Sequence, residues 1–299
     1  VTIHGPADGW VESPDGRRFW GRAGAAGLLA LDAADRVLLQ HRVEWSHFGG
    51  TWGLPGGARD FGETAVAGAL REAVEEAAVP ADALRIRSQS VLDLGFWSYT
   101  TVVAAVTRPF EPVISDAESL ELRWVPRAEL DVLPLHPGLA ASWPGLRAQL
   151  DVDVHLVVDA ANVVGSRPDG WWRDRAGGAA RLLGSLADAL GRGLPADLLF
   201  DAPSDGPGAA TSWWPTTTVV LEGQARDAAD VDGLVVRRAA GEGDDAIVAE
   251  VEHRIGSAGA SGAVTPRVVV VTADRGLADR VRAAGAGVVG PRRLLDLLG

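Results

Sequence analysis

Three glutamates, Glu72, Glu75 and Glu76, stand at positions i, i+3 and i+4 of a segment with a helical apolar pattern. On a helix that spacing puts all three carboxylates on one face. Like charges so placed repel by roughly a few tenths of a kcal/mol per pair even in water. A bare run of glutamates is usually a solvated surface, whereas a divalent cation turns the same run into a ligand set. Oxygen donors suit Mg²⁺ or Mn²⁺, which take one or two carboxylates and complete their shell with water and substrate phosphate. The chemistry such a site serves is attack of water on phosphorus, with the metal polarising phosphoryl oxygens and lowering the pKa of the water.

The surrounding spacing favours the second reading. The chain runs Gly57–Ala58–Arg59–Asp60–Phe61–Gly62–Glu63, then seven residues, then Arg71–Glu72–Ala73–Val74–Glu75–Glu76–Ala77–Ala78–Val79. It resembles the Nudix box, Gly-x5-Glu-x7-Arg-Glu-apolar-x-Glu-Glu-x-Gly-apolar, through Gly57, Glu63, Arg71, Glu72, Glu75, Glu76 and Val79. The preceding Trp52–Gly53–Leu54–Pro55–Gly56 is also typical of that family. Two positions depart from the pattern: Ala73 is a small version of the apolar residue, and Ala78 replaces the glycine near the helix end. The second costs about 1 kcal/mol if the site needs positive φ.

The resemblance implies a hydrolase that cleaves a phosphoanhydride in a nucleoside-diphosphate-linked substrate, a nucleoside triphosphate (oxidised forms included) or a nucleotide sugar. It also implies a role for each conserved-type position. Glu72, Glu75, Glu76 and Gly57 belong to the metal site, with Glu75 and Glu76 catalytic and Glu76 the closest ligand. Arg71 braces Glu63. Glu118 and Glu121 lie where the family often adds a further catalytic carboxylate. For substrate, Arg42 follows a strand and is placed to meet phosphate, and Trp97, with Trp45, His47 and Phe48, offers surfaces on which a base stacks.

A second acidic group lies in the other half of the chain. Val154–Val158 ends in Asp159–Ala160–Ala161–Asn162, and Val268–Val271 ends in Thr272–Ala273–Asp274. Between them Asp244 and Asp245 open a helical stretch, where acids also serve as ordinary N-terminal residues. Acids at the mouths of neighbouring strands bind Mg²⁺ or Mn²⁺ for phosphodiester hydrolysis. The arrangement resembles the PIN-like nuclease fold, in particular its NYN branch, over about residues 153–298. That resemblance implies Asp159, Asp245 and Asp274 as core acids, Asn162, Asp174 and Asp244 as supports, and RNA as a partner. The family's further acid shortly after Asp274 has no clear counterpart, since Arg275 and Gly276 follow and Asp279 is a turn later. Trp171–Trp172, flanked by Arg167, Arg173 and Arg175, and Trp213–Trp214 are stacking surfaces or hydrophobic lids.

Elements must hold these groups in place. Gly27–Leu31 and Val37–Gln40 read as strands joined by a polar turn, Thr64–Ala78 as a helix closed by Pro80, and Ser90–Leu94, Thr100–Val106 and Leu122–Val125 as further strands. Leu133–Gly138 and Trp143–Gly145 read as turns before a short helix near Leu150. The second half alternates strands (Val154–Val158, Val268–Val271, Val288–Val289) with helices (Ala179–Leu190, Leu277–Ala284, Arg292–Leu298), the pattern of a parallel sheet covered on both faces.

The fold expected is therefore α/β: a Nudix α/β/α sandwich with a mixed sheet over 1–150, and a PIN-like, Rossmann-like α/β/α domain with a mainly parallel sheet over 151–299. A chain of 299 residues suits two such domains. Cysteine is absent, which excludes disulfides, thiolate zinc sites and cysteine nucleophiles. Lysine is absent as well, so arginine carries every basic side chain. Thirteen arginines face 19 acids in residues 1–150 and 15 face 21 in residues 151–299, so neither half is a basic nucleic-acid glove. Apolar runs stay below the roughly 18 residues of a membrane span and no signal pattern opens the chain, so a cytoplasmic protein without a membrane partner is expected. Two other functions fit the same residues. One is RNA processing that joins 5′-end pyrophosphohydrolysis to chain cleavage, and the other is a regulatory module that binds a nucleotide without turnover.

Overall fold

The apolar run Ala25–Leu31 and the alternating Arg36–Arg42 meet across a tight turn in which Asp35 takes a left-handed φ of 59°, a conformation that aspartate tolerates better than most residues. In the computed structural model, which describes residues 5–166, 174–202, 204–258 and 264–299, these segments start the sheet that carries the glutamate helix. The chain divides into two compact units: 1–147 with 204–211, and 148–203 with 212–299.

The first unit contains β1 (Trp10–Glu12), β2 (Arg18–Trp20), β3 (Ala25–Leu31), β4 (Arg36–Arg42), β5 (Trp52–Gly53), β6 (Gly56–Ala58), α1 (Ala65–Ala77), β7 (Leu84–Asp93), β8 (Ser98–Val106), β9 (Ser119–Pro126) and all but the last three residues of α2 (Pro137–Leu150). β1 and β2 form a separate antiparallel ribbon. β3 runs antiparallel to β4 and β6 and parallel to β8, β4 pairs antiparallel with β5 and β9, and β7 lies antiparallel on β8. The sheet is mixed.

Thr64 starts α1 by accepting a hydrogen bond from the Ala67 N–H at 3.2 Å. Ala69, Ala73 and Ala77, one turn apart, are fully buried against Ala26, Leu28, Leu38, Val102 and Ala104. The small side chains let the helix approach the sheet closely, and a larger residue at Ala73 would cost about 1–3 kcal/mol in overpacking. Helix α1 ends at Ala78, ahead of Pro80. Ala78 takes φ 50°, its N–H bonds to Val74 O at 3.0 Å, and Val79 turns back to bond Ala73 O at 3.2 Å.

Helix α2 departs from the turn-rich reading. It begins at Pro137 and continues through Pro144, because Leu139, Trp143, Leu146 and Leu150 form a buried stripe at helical spacing. Pro137 is harmless in a first turn. The N–H that Pro144 lacks is outweighed by burial of this stripe, with the Trp143 indole held by Asp131 at 2.8 Å.

The second unit contains β10 (Val152–Asp159), α3 (Ala160–Gly165), α4 (Arg175–Arg192), β11 (Leu194–Pro195), α5 (Ala196–Leu199), β12 (Ser212–Trp213), β13 (Thr216–Leu221), β14 (Leu234–Arg238), α6 (Gly243–Ala258), β15 (Thr265–Val271), α7 (Arg275–Ala283), β16 (Gly287–Val289) and α8 (Pro291–Leu298). Five strands form a fully parallel sheet in the order β14-β13-β10-β15-β16. Val157, Val220, Val268 and Val270 pack under α6 and α7 through Ile247, Val251, Leu277 and Val281. Leu156, Val158, Val269 and Val271 point to the other face and are buried too, so both faces are covered. The strand order reverses between β10 and β15, where such sheets open a crevice at their carboxyl ends. Among the described residues no helix is long and apolar enough to cross a membrane.

The left-handed Ala78 generates a prediction. Ala78→Gly removes a Cβ penalty of about 1–2 kcal/mol and adds unfolded-chain freedom worth about 0.4–1 kcal/mol. The variant is expected to melt slightly higher, by thermal unfolding, and an unchanged or lower Tm contradicts the strain.

Candidate active site

Two glycines decide how the carboxylates sit. A Cβ on Gly56 would lie 2.4 Å from the Gly27 Cα, and a Cβ on Gly57 would lie 2.6 Å from a carboxylate oxygen of Glu72. Bare backbone thus brings β6 against β3 on one side and against the glutamates on the other. Glu76 is buried, and its Oε2 accepts the Gly56 N–H at 2.8 Å. Burial pushes its carboxyl up to about 8, against the Gly56 bond and with help from the charges of Glu72 and Asp116. Half-buried Glu72 is pushed to about 7, again by burial first, with Arg71 opposing.

Arg71 ties the loop to the helix. Its Nε and Nη2 grip the two oxygens of Glu63 at 3.1 Å each, Nη1 reaches Glu72 at 2.8 Å and Glu75 at 3.1 Å, and Nη2 also donates to Ala58 O at 2.8 Å. Burial raises the Glu63 carboxyl, but Arg71 and the Asp60 N–H outweigh it and hold the group below its ordinary range. Glu63 and Arg71 thereby brace each other. Glu75, 58 % exposed, leans on Arg71 and shares its Nη1 with Glu72, whose carboxyl feels the Glu75 charge.

The further carboxylates are redistributed. Glu121 pairs with His41 in the β4–β9 ladder and so lies on the opposite side of the sheet from Leu38 and Trp124, which pack under α1; it is exposed beside Arg123. Glu118 makes a 3.5 Å ion pair with Arg42. The acid whose charge reaches Glu76 is Asp116, which sequence reading passed over; its neighbour Ser115 donates its N–H to Glu76 O at 3.2 Å. Arg42 is half-buried, and its charge is felt by Glu76 and by His136. His136 is held down to about 4, by burial first and then by Arg42 and His47. Trp97 donates its Nε1–H to Trp20 O at 3.0 Å, and its ring packs on Phe19 and lies 6.2 Å from that of Tyr99. The aromatic surface near Arg42 is formed by Trp10, His47, Phe48 and His136 in edge and tilted contacts, with Trp45 70 % exposed.

In the second unit Asp159 and Asp274 end at the reversal point. Buried Asp159 accepts the Asn162 N–H at 3.0 Å and the Thr272 hydroxyl at 2.9 Å, while Asn162 Oδ1 accepts the Ala273 N–H. Asp274 caps α7 through the Leu277 N–H at 2.8 Å. Burial raises the Asp159 carboxyl, with Asp244 and Glu222 contributing; Asp244 is raised by burial and then by Asp274. Asp244 thus takes the place given to Asp245, which turns outward to Arg280. Glu222, after β13, accepts the Gly243 N–H at 2.9 Å, and its charge reaches Asp159 and Asp244; the sequence expectation does not include it. Asp174 caps α4 through Gly177. Trp213 is buried against Phe200, and Arg167, Trp171, Trp172 and Arg173 lie outside the described residues.

The family model described as "NUDIX domain" matches residues 21–146. The chain is 51 % identical over 155 residues to "Putative 8-oxo-dGTP diphosphatase 3" of Mycobacterium tuberculosis, covering 48 % of this chain and 71 % of that protein. The chain belongs to the Nudix family. It is also 40 % identical over 159 residues to a "Nucleoside triphosphate pyrophosphatase/Nudix hydrolase fusion protein" of Bifidobacterium longum, covering 50 % of this chain and 33 % of that one. A crystal structure of RenU, a Nudix hydrolase from M. smegmatis, shares 52 % identity over 47 % of this chain and 93 % of that one, with a TM-score of 0.44. This Nudix protein is accordingly a hydrolase of phosphorus-containing acid anhydrides.

Among the described residues, in either unit, no three acidic or imidazole side chains stand together at ligand spacing. The donor set nevertheless fits a divalent cation. Glu72 and Glu76 are adjacent hard oxygen donors over a glycine cradle that a Cβ would fill, and each holds a proton more tightly than an ordinary glutamate. The sign of the linkage follows. The stability these two groups contribute to the metal-free protein is complete below about pH 4.3 and is lost as pH rises through about 7 and about 8. With a chelator present, Tm should fall between pH 5 and pH 8 more steeply in the wild type than in Glu76→Gln, and parallel pH profiles contradict the shift.

Proposed function

We propose that residues 1–150 form a Mg²⁺- or Mn²⁺-dependent nucleoside triphosphate pyrophosphohydrolase, with oxidised purine nucleotides such as 8-oxo-dGTP in its substrate range. The observation that carries the reading is the sheltered Glu72–Glu76 pair over Gly57. The half-length likeness to a relative named for 8-oxo-dGTP supports the substrate class.

Glu72, Glu76 and Asp116, with Glu75 after release from Arg71, are the groups that would hold the cation, and Gly57 gives them room. When bound, the cation polarises phosphoryl oxygens and acidifies a water. Arg42 neutralises phosphate charge beside these carboxylates. Phe48, His47 and Trp10 provide the face for the base, and His136, whose Nδ1 accepts the Gly138 N–H at 3.1 Å, offers Nε2–H as a neutral donor. Arg71 fixes Glu72 and Glu63 without touching substrate.

Removing the central ligand should cost several kcal/mol of transition-state stabilisation, a loss of about 10²–10³-fold in kcat. Glu76→Gln assayed on 8-oxo-dGTP with Mg²⁺ is expected to show that loss with Tm retained, and full activity sinks the assignment.

For residues 151–299 we propose a PIN-like, NYN-type domain that cleaves RNA with a divalent metal. The parallel order with Asp159, Glu222, Asp244 and Asp274 near its reversal point supports this reading. Incubation of the purified protein with single-stranded RNA and Mn²⁺ should give cleavage that Asp159→Asn abolishes and Glu76→Gln leaves intact. Uncut RNA, or cleavage unaffected by Asp159→Asn, contradicts it.

A further inference from the structure

We propose that Ser119 and Gln40 are positioning residues that hold Asp116 against the glutamate helix, an inference that rests on the metal-site reading above. Gln40 is fully buried on β4 and, two residues from Leu38, faces the same side of the sheet as α1. Its Nε2 donates to Ser119 Oγ at 2.7 Å, and Ser119 Oγ lies 2.6 Å from Asp116 Oδ1. An amide nitrogen only donates, so the serine hydroxyl accepts from Gln40 and must give its own proton to Asp116. The chain of bonds therefore has one direction, and it ends on an acidic oxygen.

Two backbone features aim it. The β4–β9 pairing steps from His41↔Glu121 to Arg42↔Ser119, so Leu120 is an extra residue on β9 and the Ser119 hydroxyl turns back toward Gln40. At the other end Ser115 N–H bonds Glu76 O and Val113 N–H bonds Ala77 O, which pins the loop carrying Asp116 to the end of α1.

The amide is a costly choice for packing alone. Gln40 Oε1 is buried with no hydrogen-bond partner among the described residues, and an apolar side chain would avoid that penalty. What the amide supplies is the N–H on Ser119.

The test uses the full chain with two readouts, Mn²⁺ affinity by electron paramagnetic resonance and steady-state hydrolysis of 8-oxo-dGTP. Ser119→Ala and Gln40→Leu are expected to weaken Mn²⁺ binding and to lower kcat by about 10- to 100-fold with KM within about twofold. Ser119→Thr should restore both, Gln40→Leu should melt no lower than wild type, and Ser119→Ala in an Asp116→Asn background should add no further loss. Wild-type kcat and Mn²⁺ affinity in Ser119→Ala, or losses that add to those of Asp116→Asn, overturn the proposal. Undiminished Mn²⁺ binding in Glu76→Gln overturns instead the metal-site reading beneath it.

Discussion

The guanidinium of Arg71 holds together charges that would otherwise push loop and helix apart. Glu63, Glu72 and Glu75 all bear on it, and its remaining hydrogen goes to Ala58 O, so one side chain joins the loop, the strand before it and the helix after it. A lysine has the charge but not the planar fork that serves several acceptors at once. Because Arg71 is occupied on all sides, it steers carboxylates rather than substrate.

Everything around that clamp is built from small residues. Gly56 lets β6 close on β3, Gly57 leaves room for the Glu72 carboxyl, and Ala69, Ala73 and Ala77 lower α1 onto the sheet until Glu76 is out of water. Burial then makes the carboxyl hold its proton, and a neighbouring acid strengthens the effect. Both carboxyls of the site thus keep their protons to higher pH than an ordinary glutamate. Strain is accepted at its edge, where Ala78 adopts a glycine-like turn.

The parts legible in the sequence were those set by local spacing. The box residues, the helix over Thr64–Ala78 and the strand ends at Asp159 and Asp274 follow from short-range pattern. Groups set by pairing between distant strands were not. Glu121 and Asp116 are equally acidic in sequence; the register of β9 on β4 sends Glu121 to the far face, while the bonds of Ser115 and Val113 to Glu76 and Ala77 tie the loop carrying Asp116 to the end of α1. The same holds for Glu222, which depends on β13 lying beside β10, although the β-branched run Thr216–Leu221 is itself a readable strand signal. Asp244 and Asp245 differ by one step of helical phase, which composition does not reveal. Two prolines made α2 look like turns, and the buried stripe through Trp143 overrode them.

The central claim is that Glu72 and Glu76 share a sheltered place in which a cation replaces protons. Titration of Mg²⁺ into the metal-free protein at pH 7, by calorimetry in two buffers of different ionisation enthalpy, measures this directly. With carboxyls pushed to about 7 and about 8, binding should release about one proton or more per ion, and Glu76→Gln should remove most of that release. Binding with no proton release, or release unchanged in Glu76→Gln, contradicts the account.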